Sequence, residues 1–191
     1  MRRSLRIAVA DDEPDMREYY RDILPDLGHE VVGVASNGAD LVKMCAAGGV
    51  DLVITDIKMP ELDGIEAAQR IGRTAGVPVI LVSAYHDKDL IERAEQAATW
   101  SYLIKPIQRG SLEAAIAIAD HKAQQWRDLQ KEAGDLKQAL EDRKVIEKAK
   151  GILMKRLGVD EQEAFGRLRK AAMSESRKIV DVARTIVLTE G

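Results

Sequence analysis

Cysteine is nearly absent from the 191-residue sequence, and this scarcity excludes several classes of protein. Cys45 is the only cysteine, so the chain cannot form an internal disulfide bond. With only three histidines in addition, the residues for a structural zinc site are too few. Cys45 falls on an apolar face of a predicted helix. We therefore expect a buried thiol in a protein of the reducing cytoplasm.

Long apolar runs are absent as well. No run approaches the roughly 18 residues that a membrane-spanning helix needs. The apolar run near the N-terminus is too short for a signal peptide, and it ends at Asp11 and Asp12. These observations predict a cytoplasmic location and no membrane partner.

Charge is distributed unevenly along the chain. Hydrophobic residues make up 46% and charged residues 32% of the sequence, as in globular proteins. The net charge of −3 combines a balance of −7 over residues 1–120 with one of +4 over residues 121–191. The basic half could bind a polyanion, or its charges could simply form a solvated helix surface.

The first 120 residues alternate between strand and helix patterns. Apolar runs of strand length occupy residues 5–10, 30–35, 51–55, 77–82 and 101–104. Helical patterns lie between them, at residues 14–27, 40–47, 64–73 and 88–97. This alternation, with continuously apolar strands, predicts an α/β fold with a doubly wound five-stranded parallel sheet. We assign residues 1–120 to this first domain.

Helical patterns alone continue after Pro106. Gly134 is the one candidate helix breaker before Gly151. Within a predicted helical linker, residues 121–142, apolar residues recur at alternating spacings of three and four, at Trp126, Leu129, Ala133, Leu136 and Leu140. Such a seam is typical of a short coiled coil that joins two copies, or of a helix that packs on its own domain.

Residues 143–191 predict a small all-α domain of three helices. The first helix ends near Leu157, with Gly158 as its stop. Asp160 is expected to cap the second helix, and Ser174 or Ser176 the third. Phe165 is placed in the core of this domain. Gly151 is expected to allow a close approach of another helix or of a nucleic-acid backbone.

Acidic and polar residues follow the predicted strands of the first domain. Asp11 and Asp12 follow the first strand, Asp56 the third, Ser83 the fourth and Lys105 the fifth. The carboxyl ends of parallel strands meet at one edge of a sheet. Three carboxylates there repel one another, and a hard cation such as Mg²⁺ would relieve this repulsion. The same site suits a phosphoryl group, because a carboxylate can attack phosphorus while lysine pairs with the transferred group.

These motifs resemble the receiver domain of response regulators, which has a flavodoxin-like fold. The resemblance covers residues 5 to about 120. It includes Asp11-Asp12, Asp56-Ile57-Lys58-Met59-Pro60-Glu61-Leu62-Asp63-Gly64, Ser83-Ala84 and Tyr102-Leu103-Ile104-Lys105-Pro106. One departure is Ala98, which stands where the family often has glycine. Glu13 has no assigned role and is expected to be solvated or to lie behind the ligands.

The resemblance implies a role for each matching residue. Asp56 would accept a phosphoryl group from a sensor histidine kinase, with Lys105 as its cationic partner. Ser83 and Tyr102 would change position after phosphorylation. Mg²⁺ would be held by Asp11, Asp12, Asp56 and the backbone carbonyl of Lys58.

The basic C-terminal region resembles the ANTAR family of transcription-antitermination domains. The resemblance covers residues 130–190 and includes Lys144-Val-Ile-Glu-Lys-Ala-Lys-Gly-Ile-Leu-Met154, Glu163-Ala164-Phe165, Leu168-Arg169-Lys170, Ala172-Met173 and Arg177-Lys178-Ile-Val-Asp-Val-Ala183. It implies binding to RNA stem-loops in nascent transcripts, which prevents a terminator hairpin from forming. The candidate RNA contacts are Arg143, Lys144, Lys148, Lys150, Arg169, Lys170, Arg177 and Lys178.

Together these features predict a phosphorylation switch rather than an enzyme. Phosphorylation would shift the chain toward a homodimer through the seam, and two ANTAR domains would then bind RNA with higher avidity. Release of an inhibited output domain is the alternative. The helical domain could also bind DNA, or dock an acidic protein partner. It contains no cluster of residues suited to catalysis.

Overall fold

The computed structural model describes residues 3–84 and 101–190. The chain divides into two compact units, Met1–Arg127 and Asp128–Gly191. The helix predicted at residues 88–97 and the departure at Ala98 lie outside the described residues. Because the two units are separate bodies, each is described by itself.

The first unit is built on a five-stranded parallel sheet. The strands are β1 Arg6–Ala10, β2 Glu30–Ala35, β3 Leu52–Asp56, β4 Val79–Ser83 and β5 Ser101–Ile104. Their order in the sheet is β2-β1-β3-β4-β5, and every neighbouring pair is parallel. This order confirms the predicted doubly wound sheet.

Among the described residues, three helices connect the strands of this unit: α1 Pro14–Asp26, α2 Gly38–Ala46 and α3 Gly64–Thr74. Polar side chains cap the N-termini of α2 and α3. Asn37 accepts a hydrogen bond from the backbone N–H of Asp40 at 2.8 Å, and Asp63 accepts one from Glu66 at 2.7 Å. Both pairs satisfy an N–H group that has no partner within its helix.

The sheet is apolar on both faces, because helices cover each side. All five residues of β3 and of β4 are buried. One cluster lies under α2 and α3 and includes Val53, Ile65 and Leu81. The other includes Tyr20 of α1, Ile54 and Leu112. Two strands buried on both sides explain why no alternation of polar and apolar residues is visible in their sequences.

The prediction that the thiol of Cys45 is buried is confirmed. Its side chain belongs to the cluster under α2 and α3 and is 3% exposed. Burial among apolar neighbours raises the pKa of its thiol to about 11, because the charged thiolate is poorly solvated there.

The longest helix, α4, extends from Arg109 to Leu157, and the boundary between the two units lies within it. Its start at Arg109 agrees with the helical pattern predicted after Pro106. Gly134 does not interrupt it, so the expectation of a break there is wrong. One glycine costs a helix only about 1 kcal/mol, and the neighbouring residues are good helix formers.

The second unit contains the end of α4 together with α5 Glu161–Ser174 and α6 Ile179–Glu190. Gly158 ends α4 with a φ of 66°, as predicted. Asp160 caps α5 by accepting a hydrogen bond from the backbone N–H of Glu163 at 2.8 Å. The buried core of the unit is small and consists of Ala149, Leu168, Ala172, Val182 and Ala183.

Three expectations for this unit are wrong. Neither serine caps α6, because Ser174 lies within α5 and Ser176 adopts a φ of 52° in the connection. Phe165 is 41% exposed rather than part of the core. The close approach of another helix to Gly151 is also absent, since a Cβ atom added there would meet nothing within 4 Å among the described residues, whereas the approach of a nucleic-acid backbone stays a prediction.

A helix must be both long and apolar to span a membrane. In the two described ranges, no helix combines the length and the apolar composition that crossing a bilayer requires.

Candidate functional site

The predicted site residues of the first unit meet at the carboxyl edge of the sheet. Asp11 directly follows β1, Asp56 and Ser83 end β3 and β4, and Lys105 follows β5. Pairing continues beyond the end of β5, because the backbone N–H of Lys105 donates to the carbonyl of Ser83 at 2.8 Å. Asp11, Asp56 and Ser83 are all buried.

Lys105 is the cationic centre of this edge. Its Nζ atom lies 3.0 Å from Oδ2 of Asp11, 2.8 Å from Oε1 of Glu13 and 3.1 Å from Oδ1 of Asp56. Partial burial opposes the charge of this ammonium, but its close contacts with the three carboxylates outweigh this effect and raise the pKa of Lys105. Lys105 therefore stays protonated throughout the physiological range.

Glu13 is the acid whose role the sequence left open. Its carboxylate is largely exposed and pairs with Lys105. This hydrogen bond lowers the pKa of Glu13. The available signal was its position directly after Asp11 and Asp12, which places a third acid at the same strand end.

Asp56 is held at both of its oxygens. Oδ1 faces Lys105, and Oδ2 accepts a hydrogen bond from the backbone N–H of Lys58 at 2.7 Å. Burial raises the pKa of Asp56, and the charge of Asp11 adds to this, whereas Lys105 and the Lys58 N–H oppose it. Each carboxylate oxygen keeps a further lone pair, so these contacts orient Asp56 without consuming its capacity to react.

The acidic edge fits a hard cation. Ligand atoms of Asp11, Asp12 and Glu13 all lie within 4.8 Å of one another. Asp11 Oδ2 is buried and close to Lys105, yet no donor in the described residues points a well-directed hydrogen bond at it. A buried carboxylate oxygen in this state is a suitable ligand for Mg²⁺. Receiver domains generally bind Mg²⁺ at such an acidic pocket.

Gly64 permits the backbone of Asp56 to pass close to the start of α3. Its N–H donates to the carbonyl of Ile57 at 2.9 Å. A Cβ atom at this position would overlap the carbonyl oxygen of Asp56. Glycine is therefore the one residue type that fits without moving the backbone of the phosphoacceptor candidate.

Tyr20 is a neighbour of the site that sequence analysis did not identify. Its side chain is fully buried, and its hydroxyl has no hydrogen-bond partner within the described residues. Burial raises the pKa of Tyr20, and the charges of Asp11 and Asp56 add to the effect. No sequence signal linked Tyr20 to the acidic edge.

The two candidate switch residues lie near this edge. Ser83 is 4% exposed at the end of β4. Tyr102 is half-buried on β5 and packs against the apolar cluster under α2 and α3.

The second unit presents most of the predicted basic residues to solvent. Arg143, Lys144, Lys148, Arg169, Lys170, Arg177 and Lys178 are all exposed. Some of these cations are already paired, since Lys144 contacts Glu141 at 2.8 Å and Arg177 contacts Glu175 at 2.9 Å. Exposed pairs of this kind are weak and exchange readily with a polyanion.

Lys150 differs from the other candidates. Its residue is 8% exposed, and its Nζ atom lies 2.8 Å from Glu147 and 2.6 Å from Glu161. Hydrogen bonds to these two carboxylates raise the pKa of Lys150. Its contacts tie the end of α4 to the start of α5.

The seam of the linker faces solvent. Trp126, Leu129, Leu136 and Leu140 are each between 55% and 61% exposed. Within the described residues, this stripe of α4 is not covered by the chain itself, so it is available to an external partner.

The two units match two domain families. The receiver domain of response regulators matches residues 7–117, and the ANTAR domain matches residues 134–187. A transcriptional regulatory protein, PdtaR of Mycobacterium tuberculosis, is 36% identical over 186 residues, which cover 97% of this chain and 91% of that protein. A cyclic di-GMP phosphodiesterase response regulator, RpfG of Xanthomonas campestris, is 31% identical over 71% of this chain but only 37% of its own length.

Solved structures agree for the first unit. The receiver domain of a modulated diguanylate cyclase from Desulfovibrio desulfuricans is 28% identical, with a TM-score of 0.61 over 64% of this chain and 98% of that one. A receiver domain protein from Clostridium thermocellum is 29% identical, with a TM-score of 0.59 and the same coverage. The chain therefore belongs to the response regulators, with an N-terminal receiver domain and a C-terminal ANTAR domain.

Proposed function

We propose that Asp56 accepts a phosphoryl group from a sensor histidine kinase, and that the ANTAR domain then binds RNA stem-loops in nascent transcripts as an antiterminator. The observation that carries the first part is the convergence of Asp11, Glu13 and Asp56 on Lys105. This arrangement supplies a nucleophile, a counter-charge for the transferred group and ligands for a divalent cation.

The chemistry requires little beyond positioning. An Asp56 oxygen attacks the phosphorus of the kinase phosphohistidine, the new O–P bond forms as the N–P bond breaks, and the imidazole leaves with the electron pair. Lys105 is long and flexible enough to leave a carboxylate and pair with an oxygen of the transferred group. When bound by Asp11, Asp12, Asp56 and the Lys58 carbonyl, Mg²⁺ would neutralise negative charge around phosphorus.

Ser83 and Tyr102 are proposed to transmit the change. Ser83 lies at the end of β4, one strand from Asp56, where its hydroxyl could donate to a phosphoryl oxygen. Movement of Ser83 would leave space near Tyr102, which is half-buried and so can turn inward. The two arrangements would differ in how they favour assembly through α4.

The proposed dimer uses the exposed seam of α4. If Trp126 and Leu129 occupy the first a and d positions, Glu132 falls at g and Lys137 at the following e. In a parallel pair, Glu132 of one copy would face Lys137 of the other, and an antiparallel pair would lose this match. Dimerisation would then strengthen RNA binding. Once one ANTAR domain of the dimer has bound one RNA element, the other domain is held at a high effective concentration near the second element.

RNA binding is proposed for the exposed cations of the ANTAR domain. Seven of the eight candidates face solvent and can contact phosphates. We omit Lys150 from the RNA surface, because its charge is already compensated by Glu147 and Glu161.

The first test measures phosphorylation of the full chain. Protein incubated with Mg²⁺ and a small-molecule phosphoryl donor should gain the mass of one phosphoryl group, and the modification should be lost on treatment with hydroxylamine. Asp56→Asn should abolish the gain, while Asp63→Asn, which changes the N-cap of α3, should retain it. Full labelling of Asp56→Asn would overturn the assignment.

The second test measures binding to a hairpin RNA with and without phosphorylation. We expect affinity to rise on phosphorylation and to fall with increasing salt. A duplex DNA of equal length should compete poorly. Strong competition by DNA would favour a DNA-binding output, and association with an acidic protein that survives nuclease treatment would favour protein docking.

A further inference from the structure

We propose that a groove formed by α4, α5 and α6 of the ANTAR domain holds an unpaired nucleotide of the bound RNA. The base would lie on the apolar floor of the groove, and its phosphate would contact cations at the rim. This inference rests on the proposed RNA binding and specifies which part of the RNA the domain recognises.

The groove lies entirely within the second unit and has a volume of about 690 Å³. This size falls in the range of small-molecule sites, which is about 300–1,000 Å³. Its lining residues are Asp142, Ile146, Arg169, Ala172, Met173, Ser176, Arg177, Lys178, Ile179 and Val180.

The floor of the groove is apolar. Ile146 of α4, Ala172 of α5, and Ile179 with Val180 at the start of α6 form it. Met173 stands at the rim and is 72% exposed. Its thioether is polarizable and packs favourably against aromatic rings. These residues offer a flat base a surface that water solvates poorly.

The rim of the groove carries uncompensated positive charge. In the described part of the chain, neither Arg169 nor Lys178 forms an ion pair, whereas Asp142 is paired with Arg184 at 2.8 Å. Lys178 also precedes the first residue of α6, where backbone N–H groups lack acceptors within the helix and favour an anion. The charge balance therefore favours phosphate beside the apolar floor.

An exposed aromatic ring extends the same surface. Phe165, Arg169 and Met173 are spaced four residues apart, so they lie along one stripe of α5. Phe165 is 41% exposed, and the ammonium of Lys150 lies over its ring, 6.0 Å from the centroid, so a second base could stack on the part of the ring that Lys150 leaves open. Stacking is the usual means of binding unpaired bases in RNA.

The combination of an apolar floor with a cationic rim favours a nucleotide over an acidic peptide as the ligand of the groove. A peptide carboxylate would pair with Arg169 and Lys178, but it would leave the apolar floor and Met173 exposed. A nucleotide satisfies both parts, since it joins a planar base to a phosphate through one sugar.

The experiment uses the full-length protein and a hairpin RNA whose loop contains only unpaired nucleotides. Each loop nucleotide is replaced in turn by an abasic residue, and dissociation constants are measured. For the unmodified protein, one replacement should weaken binding roughly tenfold, which is typical of losing a stacked base. In the double variant Met173→Ser, Lys178→Gln, the same replacement should have little further effect.

The matched control is Lys144→Gln, which removes an exposed cation outside the groove. It should weaken binding of every RNA by a similar factor and preserve the tenfold penalty of the abasic site. All three proteins should show equal helicity by circular dichroism, because Met173, Lys178 and Lys144 are exposed.

Two results would overturn the groove while leaving RNA binding intact. One is an abasic penalty that persists unchanged in the double variant, and the other is equal affinity of all abasic RNAs for the unmodified protein. Displacement of RNA by a polyaspartate peptide, dependent on Met173 and Lys178, would assign the groove to a protein partner instead. Failure of every hairpin to bind would reject the proposed function and this inference together.

Discussion

The ammonium of Lys105 lies 3.0 Å from Oδ2 of Asp11, although β3 and β4 separate the strands that precede these two residues. All strands of a parallel sheet have their carboxyl ends at the same edge, and the long side chain of Lys105 reaches along that edge to Asp11. This contact gathers opposite charges at the site, but it leaves Asp11 buried and incompletely solvated. The predictions below begin with the energetic consequence of that burial.

Asp11→Asn should stabilise the protein at pH 7 without Mg²⁺. Burial raises the pKa of Asp11 above 3.8, so the folded state binds more protons than the unfolded state just above that pH. Stability contributed by this group therefore falls as the pH rises through the folded pKa, and it remains lowered at pH 7. We expect about 0.5–2 kcal/mol of added unfolding free energy from urea titration.

The advantage of Asp11→Asn should vanish below pH 3.8, where the aspartate is protonated in both states. Asp22→Asn, an exposed acid on α1, is the control and should change stability little. Added Mg²⁺ should stabilise the unmodified protein more than the variant. A variant less stable than the unmodified protein at pH 7 would contradict this electrostatic account.

Gly64→Ala should impair phosphorylation of Asp56, because the new methyl group would overlap the Asp56 carbonyl oxygen. The backbone must then shift, which costs roughly 1–3 kcal/mol of stability. Initial rates with a small-molecule phosphoryl donor and urea titration measure both effects. Gly72→Ala in the same helix is the control, since that position has open space among the described residues and should gain stability.

The double variant Leu129→Ala, Leu136→Ala should prevent dimer formation by the phosphorylated protein. Both leucines are about 60% exposed on the seam, so their loss removes apolar surface that only an external partner could bury. Light scattering after chromatography gives the molar mass. Lys131→Ala with Gln138→Ala changes positions away from the seam and should leave assembly intact. A phosphorylated double variant that remains dimeric would place the interface elsewhere.

Gly151→Ala should stabilise the ANTAR domain by about 1 kcal/mol, because alanine favours helix and the position has open space among the described residues. Thermal unfolding measures this change. Gly134→Ala provides a comparison on the same helix. If RNA affinity falls for Gly151→Ala but not for Gly134→Ala, the glycine serves close approach of the RNA backbone; equal affinities would give it no such role.

Cys45 should react slowly with disulfide reagents in the folded protein. Its pKa of about 11 leaves roughly a hundredfold less thiolate at pH 8 than an ordinary thiol, and its burial restricts access further. Absorbance of the released thiol measures the rate, with the urea-unfolded protein as the reference. Rapid labelling of the folded protein would show that the cluster under α2 and α3 opens readily.

The receiver fold could be predicted because its signals are local and repeated. Apolar runs marked all five strands, and Pro78 explains the one clear boundary error: it has no N–H to donate, and β4 begins at Val79 rather than at residue 77. The residues of the acidic edge could be predicted because strand ends of a parallel sheet converge. The pairing of Glu13 with Lys105 could not, since it depends on side-chain geometry.

The ANTAR domain was predicted less completely, because small helices bury little surface. Phe165 fits an apolar pattern with Ala164 and Leu168, but a core of mostly alanine and short side chains has no room for its ring. Lys150 falls on a basic face by sequence, yet Glu161 reaches it across the turn between α4 and α5. Contacts of this kind follow from tertiary packing and leave no trace in helical periodicity.

The two apolar clusters of the sheet have a consequence for how the receiver domain can change over evolution. Val53 and Ile54 are adjacent in the chain, but each faces a separate cluster on opposite sides of β3. Replacements at neighbouring codons should therefore be energetically independent, whereas Ile54 and Leu112 should coevolve although they are 58 positions apart in the sequence. The interior consists of two apolar clusters separated by the sheet, and the side chains of one cluster can be replaced without repacking the other.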